Sequence, residues 1–216
     1  MHIKIENFRD INLNLKKDLK DKLQKGALII YPTDTVYGLG AIVSDENALE
    51  KIYKAKSREF SSPLIALVNS IDKINEIASI DDKNKRILEK LSENFWPGAL
   101  TVILKKKDIV PGIMVSHGKT VGVRIPNLEM ALEIIELAGG ILATTSANIS
   151  GEPSPKCYAD LSDNIKNKVD IVIDGGKCKI GEASTIIDLT KQKPKILRKG
   201  AISIEDLEKI IGEVEV

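Results

Sequence analysis

Tyr31-Pro32-Thr33-Asp34-Thr35-Val36-Tyr37-Gly38-Leu39-Gly40 is the stretch on which the reading of this 216-residue chain turns. It follows the apolar run Ala27 to Ile30, expected as a buried strand, and it crowds two threonines, an aspartate, a tyrosine and two glycines into a short segment. Hydroxyls and backbone N–H groups leaving a buried strand suit a polar ligand. The same residues also make a tight strand-to-helix turn, so this segment alone leaves both readings open.

Working outward, strands and helices alternate. Residues 13 to 25 have amphipathic spacing and meet a helix stop at Gly26. Asp45 can cap a helix reaching about Ala55, with Ala48, Leu49, Ile52 and Tyr53 on one face. A strand is expected from Leu64 to Val68, helices near 71–78 and 82–94, and a strand over 100–104 after Trp96-Pro97-Gly98. Lys105 to Lys119 reads as a long, mobile loop. Beyond it come a strand over 120–125, a helix from Glu129 to Ala138 and a strand over 141–145. Strands near 169–173, 184–189 and 195–198 precede a closing helix, Ile204 to Ile211, capped by Ser203. This alternation implies an α/β fold, and the late strands without intervening helices imply a mixed sheet. With no repeat or linker in view, one domain over residues 1–216 is expected.

Composition narrows the classes. A hydrophobic share of 43% can fill a core, and a net charge of +1 does not mark a general nucleic-acid binder. Cys157 and Cys178 are the only cysteines, without a CxxC or a histidine cluster, so neither a metal site nor a disulfide framework is expected. The polar N-terminus is unlike a signal peptide, no apolar run approaches the roughly 18 residues of a membrane span, and a cytoplasmic location is expected. Gly112 to Gly118-Lys119-Thr120 imitates a phosphate loop but has one residue too many between its glycines.

Several segments can carry chemistry. Lys56-Ser57-Arg58 at a helix end is either a pair of exposed cations favoured by the helix dipole or a phosphate-binding pair. Ser146-Ala147-Asn148 leaves the strand that contains Thr144, and reads as an ordinary loop or a ligand loop. Arg124 interrupts the apolar strand Val121 to Ile125 and needs an anion there, from the protein or from a ligand. Ser184-Thr185 and Arg198 add polar groups at later strand ends. No nucleophile elbow is present, so the inventory is one of hydroxyls, amides and cations.

In order, Pro32 to Leu39, Lys56-Ser57-Arg58, Trp96 to Thr101, Val121 to Pro126, Ser146 to Gly151, Ser184 to Asp188 and Leu197 to Gly200 resemble the YrdC-like domain of the threonylcarbamoyl-AMP synthase family. The resemblance spans residues 27 to 200, in the stand-alone form of that family. It implies a twisted mixed sheet flanked by helices around a concave basic cavity. It also implies formation of threonylcarbamoyl-adenylate from L-threonine, bicarbonate or CO2, and ATP with Mg²⁺. A separate threonylcarbamoyl transferase complex would then modify tRNA at position 37. By motif, Lys56, Arg58, Ser146 and Asn148 match the catalytic signature at the nucleotide. Ser62, Thr120, Ser154 and Arg198 align with further ATP contacts, and Thr35, Arg124, Thr144 and Ser184 with threonine contacts. Two departures stand out: Leu67 where many relatives have histidine, and Ser62 where they have asparagine. A tRNA- or double-stranded-RNA-binding module without catalysis is the competing expectation, separable by salt-dependent RNA binding without ATP use.

Overall fold

The computed structural model describes residues 1–5 and 11–216. Its elements are β1 (His2–Lys4), α1 (Leu13–Gln24), β2 (Ile29–Tyr31), β3 (Gly38–Ile42), α2 (Glu46–Lys56), β4 (Ile65–Val68), α3 (Ile71–Ile77), β5 (Ala78–Ser79), α4 (Asp82–Phe95), β6 (Leu100–Lys106), β7 (Thr120–Arg124), α5 (Glu129–Leu137), β8 (Ile141–Ser146), α6 (Asp163–Lys166), β9 (Ile171–Asp174), β10 (Thr185–Asp188), β11 (Lys195–Arg198) and α7 (Ile204–Ile211). Among the described residues the strands form one sheet in the order β1-β9-β2-β3-β8-β4-β7-β6-β10-β11, with β5 beside β6. Parallel pairs such as β4–β7 and β6–β10 sit next to antiparallel pairs such as β3–β8 and β10–β11, so the sheet is mixed as expected.

Local chemistry sets the boundaries. Asn12 caps α1 by accepting from the Leu15 N–H, Asp45 caps α2 through Ala48, and Ser203 caps α7 through Asp206. Gly26 ends α1 at φ +78°, where a side chain would be strained and would also collide with the Asp45 carboxylate.

Two expectations change. The Thr-Asp-Thr segment does not lead into a helix. It turns back into β3, which runs antiparallel to β2 with Tyr31 opposite Gly38. The Thr33 hydroxyl builds that turn, accepting from the Thr35 and Val36 N–H groups and donating to the Val36 carbonyl. The loop after β6 is packed rather than mobile. Its 3₁₀ turn, Gly112–Val115, buries Met114 and Val115, and its carbonyls accept from the Leu64 N–H and the Tyr53 hydroxyl.

The helical layers are unequal, and that places the site. On one face α2, α3, α4 and α7 pack over the sheet, burying Leu49, Ile52, Ile74, Leu88, Leu91 and Leu207 with Val102, Val121 and Val123. On the other face α1 and α5 bring Leu19, Leu23, Ile134 and Ile135 onto Ile29, Tyr31, Leu142 and Ile171. Because strand residues alternate, the second face continues through Thr144, Ile65, Gly122, Arg124, Ile103 and Ile186, and these residues line a concavity.

Candidate active site

The concavity holds a cavity of about 420 Å³. Its walls come from the β2–β3 turn (Thr33, Thr35, Tyr37, Gly38), from Arg58 to Leu64 after α2, and from the inner residues of β4, β7 and β8. Ser184, Ile186, Leu197 and Arg198 close the far side. Gly122 is part of the floor. A Cβ there would lie 2.9 Å from Ile65 Cγ2 and 3.1 Å from Ile103 Cδ1, so even a small side chain would push against the wall.

Of the residues singled out by sequence, Thr35, Arg58, Ser62, Thr120, Arg124, Thr144, Ser146, Ser184 and Arg198 meet in this cavity. Leu67, where the resemblance leads one to expect histidine, lines it as well. Lys56, Asn148 and Ser154 are not on its walls.

The Lys56-Ser57-Arg58 segment divides its cations. Ser57 adopts the left-handed conformation, φ 50°, and ends α2 between them. Lys56 is turned inward, only 1% exposed, which corrects the expectation of an exposed helix-end pair. Its ammonium donates to the Ser146 and Asn148 carbonyls and to Asn148 Oδ1, pinning the loop after β8. Burial and the nearby Arg58 charge pull its pKa down to about 7. The Asn148 amide in turn donates to the Ile149 and Glu152 carbonyls, so this pair braces the loop rather than facing the cavity. Arg58 swings to the cavity, held by the Ser62 carbonyl at 3.1 Å, the Pro63 carbonyl at 3.2 Å and Thr145 Oγ1 at 3.3 Å.

Arg124 finds a protein carboxylate. Nη2 pairs with Asp34, Nη1 donates to Thr35 Oγ1 at 2.8 Å and Nε to the Gly98 carbonyl at 2.8 Å. Asp34 approaches from behind and does not line the cavity, whereas Arg124 does. Asp34 was not singled out as this partner, since the two lie 90 positions apart. The only sequence signal was the need of a buried arginine for an anion. Arg198 lies along the Ser184 carbonyl, with Nε at 3.1 Å and Nη2 at 2.8 Å. The Ser184 hydroxyl meets Thr101 Oγ1 at 2.8 Å. Burial lowers the pKa of Arg198, and the charges of Arg124 and Arg58 lower it further, which places three guanidinium groups within one electrostatic neighbourhood. Among the described residues three arginines but no acidic side chain appear on the cavity wall.

Comparison with known proteins locates this arrangement. The model of the Sua5/YciO/YrdC family, described as "Telomere recombination", matches residues 21–200. A Pyrococcus abyssi protein named threonylcarbamoyl-AMP synthase is 41% identical over 90% of this chain, which spans 56% of that protein's length. The crystal structure of P. abyssi Sua5 complexed with L-threonine superposes with a TM-score of 0.92 at 38% identity, covering 100% of this chain and 62% of that one. The crystal structure of Escherichia coli YciO superposes at 0.80 with 25% identity, covering 96% and 98% of the two chains. With the order of the motifs, the sheet topology and the cavity all in agreement, the chain belongs to the Sua5/YciO/YrdC family.

Proposed function

We propose that this chain makes threonylcarbamoyl-adenylate and pyrophosphate from L-threonine, bicarbonate or CO2, and ATP, as a nucleotidyltransferase. Its product would pass to a separate transferase acting on tRNA. The observation that carries this is the convergence of Arg58, Arg124 and Arg198 on a hydroxyl-rich cavity with no wall carboxylate among the described residues. Three like charges lower one another's stability, and a polyanion relieves that cost. The relatives' naming and the threonine complex of P. abyssi Sua5 support the choice of substrates.

In this reaction the threonine amine captures CO2 as a carbamate. A carbamate oxygen then attacks the α-phosphorus, and the bond to pyrophosphate breaks. The demand on the protein is positioning and charge stabilisation, not a nucleophile. Arg58 and Arg198, each already fixed on backbone carbonyls, would hold phosphate oxygens with the N–H groups left over. Arg124 would take the threonine carboxylate, with Thr35, Thr144 and Ser184 around it. The apolar wall of Ile65, Leu67, Ile103, Ile186 and Leu197 offers a surface for a base. Lys56 and Asn148 would act by holding the Ser146 loop in place. Among the described residues no group of three or more acidic, histidine or cysteine side chains could hold a metal ion. Mg²⁺ would arrive with the nucleotide as substrate, held on its phosphate oxygens.

Mass spectrometry after incubation with ATP, Mg²⁺, bicarbonate and L-threonine tests the proposal. Threonylcarbamoyl-adenylate should form, with pyrophosphate released only when threonine and bicarbonate are both present. Equal pyrophosphate release without threonine would overturn it.

A further inference from the structure

Two cavity hydroxyls have their protons committed elsewhere. Thr33 has a single hydroxyl proton, and the Val36 carbonyl takes it at 2.7 Å. Thr33 Oγ1 then meets its other neighbours as an acceptor, at long range from the Thr35 and Val36 N–H groups at 3.2 and 3.3 Å and most closely from Thr35 Oγ1 at 2.9 Å, so Thr35 spends its own proton on Thr33. Arg124 Nη1 donates to Thr35 Oγ1 at 2.8 Å and occupies one lone pair. What Thr35 has left for the cavity is one acceptor.

Thr144 reaches the same state by another route. The Tyr31 phenol is fully buried, its pKa pushed well up by burial, and Thr144 Oγ1 at 2.9 Å is its hydrogen-bond partner. A buried phenolic O–H without an acceptor is costly, so Tyr31 donates and Thr144 accepts. The Thr144 proton goes to the Leu142 carbonyl at 3.2 Å. Thr144 also has one acceptor left for the cavity.

We propose that Tyr31 and Thr33 are positioning residues that fix Thr144 and Thr35 as acceptors only, so that this end of the cavity selects a primary amine. This rests on the amino-acid substrate proposed above and adds how its amine is read. An amine brings at least two N–H groups to two waiting acceptors. A hydroxyl in its place brings one, and leaves a lone pair against a lone pair. Neither Tyr31 nor Thr33 needs to touch the substrate.

The test is calorimetric titration of the full chain with L-threonine and with the 2,3-dihydroxybutanoate of matching configuration, whose hydroxyl replaces the amine. The wild type should prefer threonine by at least about tenfold, the scale on which sites built for a particular donor discriminate. Thr33→Val removes the acceptor of the Thr35 proton, and Tyr31→Phe removes the donor that holds the Thr144 hydroxyl in orientation, so that its proton can leave the Leu142 carbonyl 3.2 Å away for the cavity; in both variants the preference should fall by about threefold or more. Thr33→Ser keeps the hydroxyl and should restore it, while ATP affinity stays at the wild-type value in all three. Equal binding of both ligands by the wild type overturns the proposal even where a variant fails to fold. So does an unchanged preference in folded Tyr31→Phe and Thr33→Val. Binding of ATP with no binding of threonine at all removes the amino-acid reading itself, and this inference with it.

Discussion

Replacing Arg124 by methionine strips the charge from a guanidinium only 4% exposed, beside a carboxylate only 2% exposed. Among the described residues Arg124 is the one hydrogen-bond partner of the Asp34 side chain: Oδ1 is paired with Arg124, and Oδ2 is buried without a partner there. An uncompensated buried charge costs about 3–5 kcal/mol. Arg124→Met is therefore expected to lower stability by that amount, a fall in Tm of very roughly 6–20 °C for a chain of this size. Asp34→Leu leaves the arginine unpaired and should cost a similar amount. In the double variant both charges are gone, and what remains is the loss of donors to the Gly98 carbonyl and Thr35 Oγ1. At about 1 kcal/mol each, the double variant should lose only about 2 kcal/mol. The coupling between the two sites is then at least about 4 kcal/mol. Urea unfolding of the wild type, the two single variants and the double variant measures it. If Arg124→Met costs less than about 1 kcal/mol, or if the double variant loses the sum of the singles, the ion pair is not what holds the floor of the site.

Lys56 should leave a signature in pH. Its folded pKa of about 7 lies below the unfolded value of 10.5, so the unfolded chain holds more protons between those limits and stability rises with pH there. The slope is at most about 1.4 kcal/mol per pH unit, and Lys56→Met should flatten it in melts run from pH 7 to 9, whereas an unchanged slope refutes the assignment. Gly122→Val should abolish nucleotide binding, seen by calorimetry, because its side chain would enter space already closed by Ile65, Ile103 and Thr101; wild-type ATP affinity in the folded variant counts against the cavity as the nucleotide site. Arg58→Ala and Arg198→Ala should each weaken ATP binding by about 1.5–3 kcal/mol, the scale of a charge-assisted contact, with threonine affinity measured alone changing far less.

The sequence was most legible where one local signal decides the backbone. The caps at Asp45 and Ser203 and the stop at Gly26 lie where the spacing put them. The β3 strand was not legible, because its two glycines argue against a strand on propensity alone. Their reason is non-local: a Cβ on Gly38 would stand 2.9 Å from Thr144 Cγ2, and one on Gly40 3.0 Å from the Ala143 carbonyl, both on a strand about a hundred residues later. The packed loop after β6 escaped for the same cause, its carbonyls being claimed by Leu64 and Tyr53 far upstream.

Within the site, the sequence named most of the side chains but not which of them are free to act. That depends on counting hydrogens. An ammonium has three, and Lys56 has three acceptors around it, so nothing is left for a ligand. A guanidinium has five in a fixed plane, so the protein can hold three and still leave two for a ligand. Arg58 is tied through the Ser62 and Pro63 carbonyls and Thr145, Arg124 through Gly98, Thr35 and Asp34, and Arg198 through Ser184, and all three still line the cavity. The lysine and the arginine of one Lys-Ser-Arg segment thus part company for a chemical reason as well as a conformational one. A left-handed Ser57 turns one inward and the other out, and only the one with hydrogens to spare can be both anchored and available. Spacing along the chain carries no trace of that distinction, because it rests on carbonyls that reach Lys56 only when the loop after β8 folds over the end of α2.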